Sequence, residues 1–265
     1  MIFSAKIREI IMYVCQLNFD CLQDVELEPA QLAITALLDE YRYNGQILGR
    51  EFPVILKDGR FQVVLVCPEQ DSLAPANNKE SVNQAFQAVA EAGLGQPSVE
   101  LLGLECQSDF TDTCRQPSGY IVYSTFVQSC SPVRCLEHFS PLPLYKLPES
   151  LRKPLIKWQE SQAACDQLQM NELKEIEPQA NIQLSSSISE LTMTGRVLAE
   201  QIKNALDVSV YYYLYRVGGE SLEAEQQRGC PGCGQDWSLK TPLHDLFDFK
   251  CDTCGLVSNI SWDWQ

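Results

Sequence analysis

Apolar and polar positions in the amino-terminal part of the chain follow two periods, one typical of helices and one typical of strands. Val82, Phe86 and Val89 recur at helical spacing before Gly93, which suits a helix C-cap. Asp58-Gly59 separates two strand-like runs and is a strong hairpin signal. The predicted elements are strands at 10–19, 51–57, 60–67 and 99–106 and helices at 29–43 and 78–92. Their order, β-α-β-β-α-β, predicts a ferredoxin-like core over residues 7–128.

The pattern after this core predicts a largely helical extension. A strand at 120–127 is expected to extend the first sheet, and the prolines between 131 and 148 exclude a regular helix there. Ser187 and Glu190 stand in the capping-box relation before the last helix. The remaining predicted elements are helices at 149–170 and 188–206, a tyrosine-rich strand at 208–217 and an acidic linker after it. The fold class is therefore α+β, with a main domain over 1–217, whose helical part is 149–217, and a second domain over 228–265.

Two Cys-x-x-Cys turns define the second domain. Cys230 and Cys233 are followed, after seventeen residues, by Cys251 and Cys254, a spacing that predicts a zinc ribbon. Four thiolates close a tetrahedral shell around one Zn²⁺, so the metal is expected to be structural and not catalytic. Such a small module gains on the order of 10–16 kcal/mol from metal binding. His244 lies between the turns and is expected to be a loop residue, because four sulfur ligands leave it no role.

The other cysteines leave two interpretations open. The chain has twelve cysteines and no recognisable secretory signal, which predicts free thiols in a reducing compartment, the cytoplasm. Free cysteine is commonly a small buried hydrophobe. The alternative is a second metal site, or a thiol nucleophile with His138 as its base. Candidates for that second site are Cys114, Cys130, Cys135, His138 and Cys165.

The amino-terminal apolar stretch predicts a strand, not a signal peptide or a membrane anchor. Residues 10–15 are too few for either, and no run approaches the roughly 18 apolar residues of a membrane span. Met12 is an alternative to Met1 as the translation start.

Net charge bears directly on the choice of partner. The chain carries a net charge of −15, whereas nucleic-acid binding depends on Lys and Arg that neutralise phosphates. A nucleic-acid surface would need a local basic patch, for which the candidates are Arg42, Arg50, Lys57 and Arg60. The tyrosines at 211–213 and 215 offer a second route, base stacking, unless they form a half-buried strand. An acidic surface that docks on a basic protein is the alternative.

Several segments of the chain together resemble one bacterial family. They are YRYNGQ at 41–46, GREF at 49–52, PLYKLP at 143–148, CDQLQM at 165–170, SNISW at 258–262 and the paired Cys-x-x-Cys turns. The family is that of uncharacterised zinc-ribbon-containing proteins, for which nucleic-acid binding has been suggested from the ribbon. The resemblance implies that the four ribbon cysteines are zinc ligands and implies no catalytic residue.

These observations favour a macromolecular recognition protein over an enzyme. The chain has no P-loop, no dinucleotide-binding glycine motif, no His-Glu-x-x-His and no Gly-x-Ser-x-Gly. The predicted partner is nucleic acid or a protein of the machinery that acts on it. An acidic protein-interaction adapter is the second hypothesis, and an enzyme of unknown class is the third.

Overall fold

The computed structural model describes residues 11–22, 24–171 and 174–264, which form two compact units. The described residues within 1–113, 129–131 and 140–153 form unit 1, and those within 114–128, 132–139 and 154–265 form unit 2. Within the described residues, no helix combines the length and apolarity needed to cross a membrane.

Unit 1 has a four-stranded antiparallel sheet. The strands are β1 (Tyr13–Asp20), β2 (Ile55–Lys57), β3 (Arg60–Cys67) and β4 (Ser98–Leu104), in the spatial order β2-β3-β1-β4. Helix α1 (Leu27–Asn44) lies between β1 and β2 in the chain, and helix α2 (Glu80–Glu91) between β3 and β4. The predicted β-α-β-β-α-β order is present, and its connectivity is the ferredoxin-like arrangement.

Alternation along β1 places the core on one face of this sheet. Leu17 and Phe19 are fully buried, in a cluster with residues of both helices. Asn18, on the other face, accepts hydrogen bonds from Gln16 at 2.7 Å and from Gln62 at 3.1 Å. The face away from the helices has an amide network in its centre, and the described residues of these four strands place no exposed aromatic ring there, unlike an RNA-recognition sheet, whose aromatic rings stack on bases.

Two of the segments that carry the family resemblance are internal parts of unit 1. Gly45 ends α1 with φ +80°, and a Cβ at this position would lie 2.4 Å from Cβ of Leu144. Asn44 and Gln46 are fully buried, and the amide of Gln46 donates to the carbonyl oxygen of Ser72 at 2.8 Å. These segments maintain the fold where the chain turns out of α1.

Unit 2 has a six-stranded mixed sheet flanked by helices. Its strands are β5 (Gly119–Val122), β6 (Val133–Cys135), β7 (Ser209–Tyr213), β8 (Ser238–Leu243), β9 (Phe247–Cys251) and β10 (Leu256–Ser258), in the spatial order β6-β5-β7-β10-β9-β8. The remaining helices are α3 (Glu149–Met170), α4 (Glu177–Ser185), α5 (Glu190–Leu206) and α6 (Leu222–Gln226).

Unit 2 departs from the predictions in three ways. Strand β5 pairs in parallel with β7 and so belongs to the second sheet, whereas the sequence predicted an extension of the first. The side chain of Ser189, not that of Ser187, caps α5 by accepting from the backbone N–H of Thr192 at 3.2 Å. Helix α6 lies in the stretch that the sequence predicted to be a linker, and helix α4 lies in a stretch for which the sequence predicted no element.

The predicted ribbon shares a sheet with the rest of unit 2. Strand β10 pairs in parallel with β7, with Leu256 opposite Tyr212 and Val257 opposite Tyr213. The predicted boundary at residues 217–228 therefore lies inside one compact unit, because a parallel ladder joins the two sides of it.

The tyrosine strand β7 is buried on both faces. Tyr212 packs against Trp158 with ring centroids 5.8 Å apart, whereas Tyr211 and Tyr213 lie in an opposite cluster with Phe247. All three tyrosines are at most 6% exposed. Three of the four tyrosines considered from the sequence for base stacking are therefore packed inside the fold.

Helix α5 approaches this strand at Gly195, where the packing leaves no room for a larger side chain. A Cβ on Gly195 would lie 2.2 Å from Cε2 of Tyr212 and 2.6 Å from Nε1 of Trp158. Overpacking a core costs about 1–3 kcal/mol, so we expect Gly195→Val to destabilise unit 2 by about 3 kcal/mol in urea unfolding. Met193→Val, at a half-exposed position of the same helix, is the control. An unchanged unfolding midpoint for Gly195→Val would contradict this packing.

Candidate metal centre

The four ribbon cysteines converge on one point. Cys230 and Cys233 lie in the turn before β8, Cys251 ends β9, and Cys254 lies in the turn before β10. All four Sγ atoms lie within 4.8 Å of one another. Cys233 and Cys251 are 3.7 Å apart at sulfur, and tetrahedral bonds of 2.3 Å would separate two sulfurs by about 3.8 Å. The cluster can therefore bind one metal ion with little rearrangement.

Glycine allows the two turns to close around the cluster. A Cβ on Gly232 would lie 2.7 Å from Sγ of Cys254, so a larger residue would displace this sulfur from the cluster. Gly234 and Gly255, each directly after the second cysteine of its turn, have φ of +73° and +60°. Glycine adopts such angles at no steric cost. Gly232, Gly234 and Gly255 therefore each have a specific structural role in closing the turns.

The cluster is buried on one side and open on the other. Cys230 and Cys251 are 2% and 5% exposed, whereas Cys233 is exposed. Burial and the neighbouring thiols raise the pKa of Cys254 to about 12, and a backbone hydrogen bond from Gln235 lowers the pKa of Cys233. The pKa values of these two neighbouring thiols are therefore shifted in opposite directions. A coordinating metal deprotonates thiols outright, so all four sulfurs would be thiolates in the metal-bound protein.

A buried polar network supports the ribbon from beneath. The guanidinium of Arg228 lies 4.9 Å from the ring centroid of Trp237 and 4.4 Å from that of Phe249. It also donates to the carbonyl oxygen of Asn259 at 3.0 Å. Burial lowers the pKa of Arg228 to about 10, so the group stays charged at neutral pH.

Glu225 provides the counter-charge of this network. It is 2% exposed and accepts from Nε of Arg216 at 3.0 Å, and its Oε2 lies 3.5 Å from Nε of Arg228. Arg216, Glu225 and Asn259 were not singled out from the sequence. The sequence pointed to this network only through the SNISW segment, which carries part of the family resemblance. That segment contains Asn259 and Ser261, and both are fully buried.

The cysteines outside the ribbon separate into different environments. Cys114, Cys135 and His138 have their ligand atoms within 4.8 Å of one another. Cys130 instead lies 3.5 Å from Oδ2 of Asp109. His244 belongs to neither cluster: its ring stacks on Phe139, and its Nε2 lies 2.8 Å from the carbonyl oxygen of Leu136.

Cys165 lines a cavity of about 610 Å³ in unit 2. Burial and the charge of Asp166 raise the pKa of its thiol, so the thiol is protonated at neutral pH. A protonated thiol is a poor nucleophile, which disfavours thiol chemistry in this cavity. The lining residues are Pro154, Lys157, Trp158, Ser161, Cys165, Gln183, Glu190, Leu191 and Thr194.

The four candidate nucleic-acid-binding residues all lie in unit 1 and differ in exposure and in their contacts. Arg42 is 9% exposed and donates from Nε to the carbonyl oxygen of Gly49 at 2.9 Å. Lys57 and Arg60 are opposite each other in the β2–β3 hairpin, and Arg60 forms an ion pair with Asp20 at 3.0 Å. Arg50 is exposed in the loop before β2.

Comparisons with known proteins return relatives without an established function. Three family models match consecutive parts of the chain, each described as a domain of unknown function: DUF8589 over residues 12–103, DUF2310 over 114–215 and DUF8594 over 219–264. A solved structure titled as a proposed antibiotic biosynthesis monooxygenase from Caulobacter crescentus matches with 13% identity and a TM-score of 0.29. It covers 37% of this chain and 93% of that one, a likeness too low to bear on fold or function.

Two uncharacterised proteins from Haemophilus influenzae are much closer. One is 45% identical over 245 residues, which are 90% of this chain and 94% of that protein. The other is 48% identical over 168 residues, 62% of this chain and 82% of that protein. The chain therefore belongs to the family of these uncharacterised bacterial proteins.

Proposed function

We propose that this protein is a zinc-ribbon recognition protein that binds a basic protein partner. The Cys230, Cys233, Cys251 and Cys254 cluster holds one Zn²⁺ in this proposal, and residues 228–265 form the ribbon. The observation that carries the metal assignment is the convergence of four Sγ atoms within 4.8 Å. Four sulfur ligands select zinc or iron, and zinc is the usual ion of closed structural sites.

A closed metal shell supports recognition over catalysis. Once four thiolates surround the ion, no coordination position remains for water or substrate. Metal-assisted hydrolysis at this site would need such an open position. The role of the metal is then to join the turn before β8 to the turn between β9 and β10 and to fix the surface that these turns expose.

The described residues favour a protein partner over nucleic acid. The net charge is −15. Arg42 donates a hydrogen bond to the carbonyl oxygen of Gly49, and Arg60 forms an ion pair with Asp20. The tyrosines of β7 are buried and cannot stack on bases without unfolding the strand. Among the described residues, β7 offers no exposed aromatic face, and a protein with this net negative charge is suited to a basic protein surface, to which long-range charge would steer it.

Binding to labelled nucleic acid is the first test of this choice. We expect full-length protein to show no saturable fluorescence-anisotropy change with single-stranded DNA, duplex DNA or RNA at about 50 mM salt. Nucleic-acid binders lose affinity steeply with salt, with a slope set by the number of phosphates neutralised. Saturable binding with such a salt dependence that is lost in the double variant Lys57→Glu/Arg60→Glu would overturn the proposal of a protein partner and would favour nucleic acid as the partner.

The second test identifies the partner. Mild crosslinking in bacterial cells followed by mass spectrometry is expected to recover a basic protein whose capture falls as salt rises. Cys254→Ser is expected to abolish that capture, whereas Cys106→Ser, at an exposed cysteine of unit 1, is expected to retain it. Equal capture of the partner by both variants would show that the partner does not depend on the ribbon and would contradict the proposal.

A further inference from the structure

Cys114, Cys135 and His138 form a second cluster of metal-ligating side chains. Cys135 is the last residue of β6, His138 lies in the turn that follows it, and Cys114 lies in the segment that leads to β5. Their ligand atoms lie within 4.8 Å of one another. Strand β6 pairs with β5, and Tyr120 lies opposite Cys135, so the sheet brings the two chain segments together.

The internal distances suit one tetrahedral ion. Sγ of Cys135 lies 3.5 Å from Nδ1 of His138. Metal bonds of 2.3 Å to sulfur and about 2.05 Å to nitrogen would place these atoms about 3.6 Å apart. Cys135-x-x-His138 also has the same spacing as the two turns of the ribbon. The pair can therefore bind a metal without rearranging the turn.

Accessibility disfavours a Cys-His nucleophile at this place. A catalytic thiol must reach its substrate, whereas Cys135 is 0% exposed. Its Sγ lies 3.0 Å from Oε2 of Glu137, and Oε1 of that carboxylate accepts from the backbone N–H of Ser118 at 2.6 Å. A buried sulfur held beside an exposed imidazole is the arrangement of a metal ligand set that opens toward solvent on the histidine side.

We propose that Cys114, Cys135 and His138 bind a second Zn²⁺ and leave its fourth position to an exchangeable ligand, such as water. Two thiolates and one imidazole are ligands that suit zinc. Binding releases the thiol protons of Cys114 and Cys135 to solvent. Three protein ligands with an open fourth position distinguish this site from the closed ribbon, and the metal bond replaces the hydrogen bond that the Cys135 thiol donates to Glu137.

Metal counting on the full chain tests the site. We expect two zinc ions per chain in wild type after dialysis against a weak chelator, and one each in Cys114→Ser and in His138→Gln. Cys106→Ser, at an exposed cysteine in neither cluster, should retain two. His138→Gln alters an exposed side chain, and a near-UV circular dichroism spectrum like that of wild type will show that its fold is intact.

Cobalt substitution tests the open position. In Co²⁺-loaded protein we expect added azide to change the visible d–d bands of wild type but not those of Cys114→Ser, whose remaining site is the ribbon. One metal per chain in wild type, unchanged in Cys114→Ser, would overturn the second site. If the weak chelator removed zinc from the second site, the binding there would be adventitious, and this result would also overturn the second site. A two-metal protein insensitive to azide would overturn the open position.

Discussion

Replacing Cys254 by Ser should release the ribbon metal and unfold the strands that it joins. Structural zinc contributes on the order of 10 kcal/mol of apparent folding free energy in small finger modules, so removing one of four ligands is expected to cost more than any other change to the ribbon. Because β10 pairs with β7, the loss should extend from the ribbon into the sheet of unit 2, while unit 1 keeps its own core.

Hydrogen exchange followed by mass spectrometry measures this effect directly. In Cys254→Ser we expect exchange to rise by orders of magnitude over residues 230–258 and in β7, and to stay unchanged in β1 and β3. Cys21→Ser, at a half-buried cysteine of unit 1, controls for the loss of a thiol. If protection of the ribbon survived in Cys254→Ser, the metal would not be its structural support.

Replacing Glu225 by Ala is expected to give the second largest effect. Removing one partner from a buried ion pair costs about 3–5 kcal/mol, because it leaves the other charge without compensation. Two guanidinium groups depend on this carboxylate, those of Arg216 and Arg228. Urea unfolding of unit 2 should show the loss, and Glu223→Ala, at an exposed position in the same helix, should change stability by less than about 0.5 kcal/mol.

The stability due to Glu225 should depend on pH with a defined sign. Burial raises the pKa of this carboxyl, but hydrogen bonds and charge from Arg216 and Arg228 outweigh burial, so its folded pKa is lowered. The contribution is then complete above the unfolded pKa of about 4.3 and disappears as pH falls through the folded pKa. A Glu225→Ala deficit that grew on acidification would contradict this assignment.

The sequence predicted the order of unit 1 because its signals are local. Asp58 and Gly59 have φ of +51° and +74°, the left-handed angles of a hairpin turn, and Gly93 has φ of +79° after α2. Adjacent elements in this arrangement are connected by such turns, so local residues specify most of the topology. The convergence of the four carboxyl-terminal cysteines was equally clear, because cysteine spacing determines which sulfurs can meet.

The rest depended on contacts between residues that are distant in sequence. Strand β5 pairs with β7, and Gly119 lies opposite Ser209, far along the chain. The local pattern of residues 120–127 does not indicate which strand they pair with. Arg42 is chemically a surface residue, yet Gly49 and Tyr43 enclose it. Among the five candidates for a second metal site, only the fold separates Cys114, Cys135 and His138 from Cys130 and Cys165.

Zinc-edge X-ray absorption of the Cys114→Ser protein tests the central claim, a structural zinc in the carboxyl-terminal ribbon, most directly. This variant should retain only the ribbon metal, so its spectrum comes from one site. The account predicts one zinc per chain, surrounded by four sulfur atoms at about 2.3 Å. An absorption edge of iron, a nitrogen or oxygen atom in the first coordination shell, or a metal-free folded chain would contradict it.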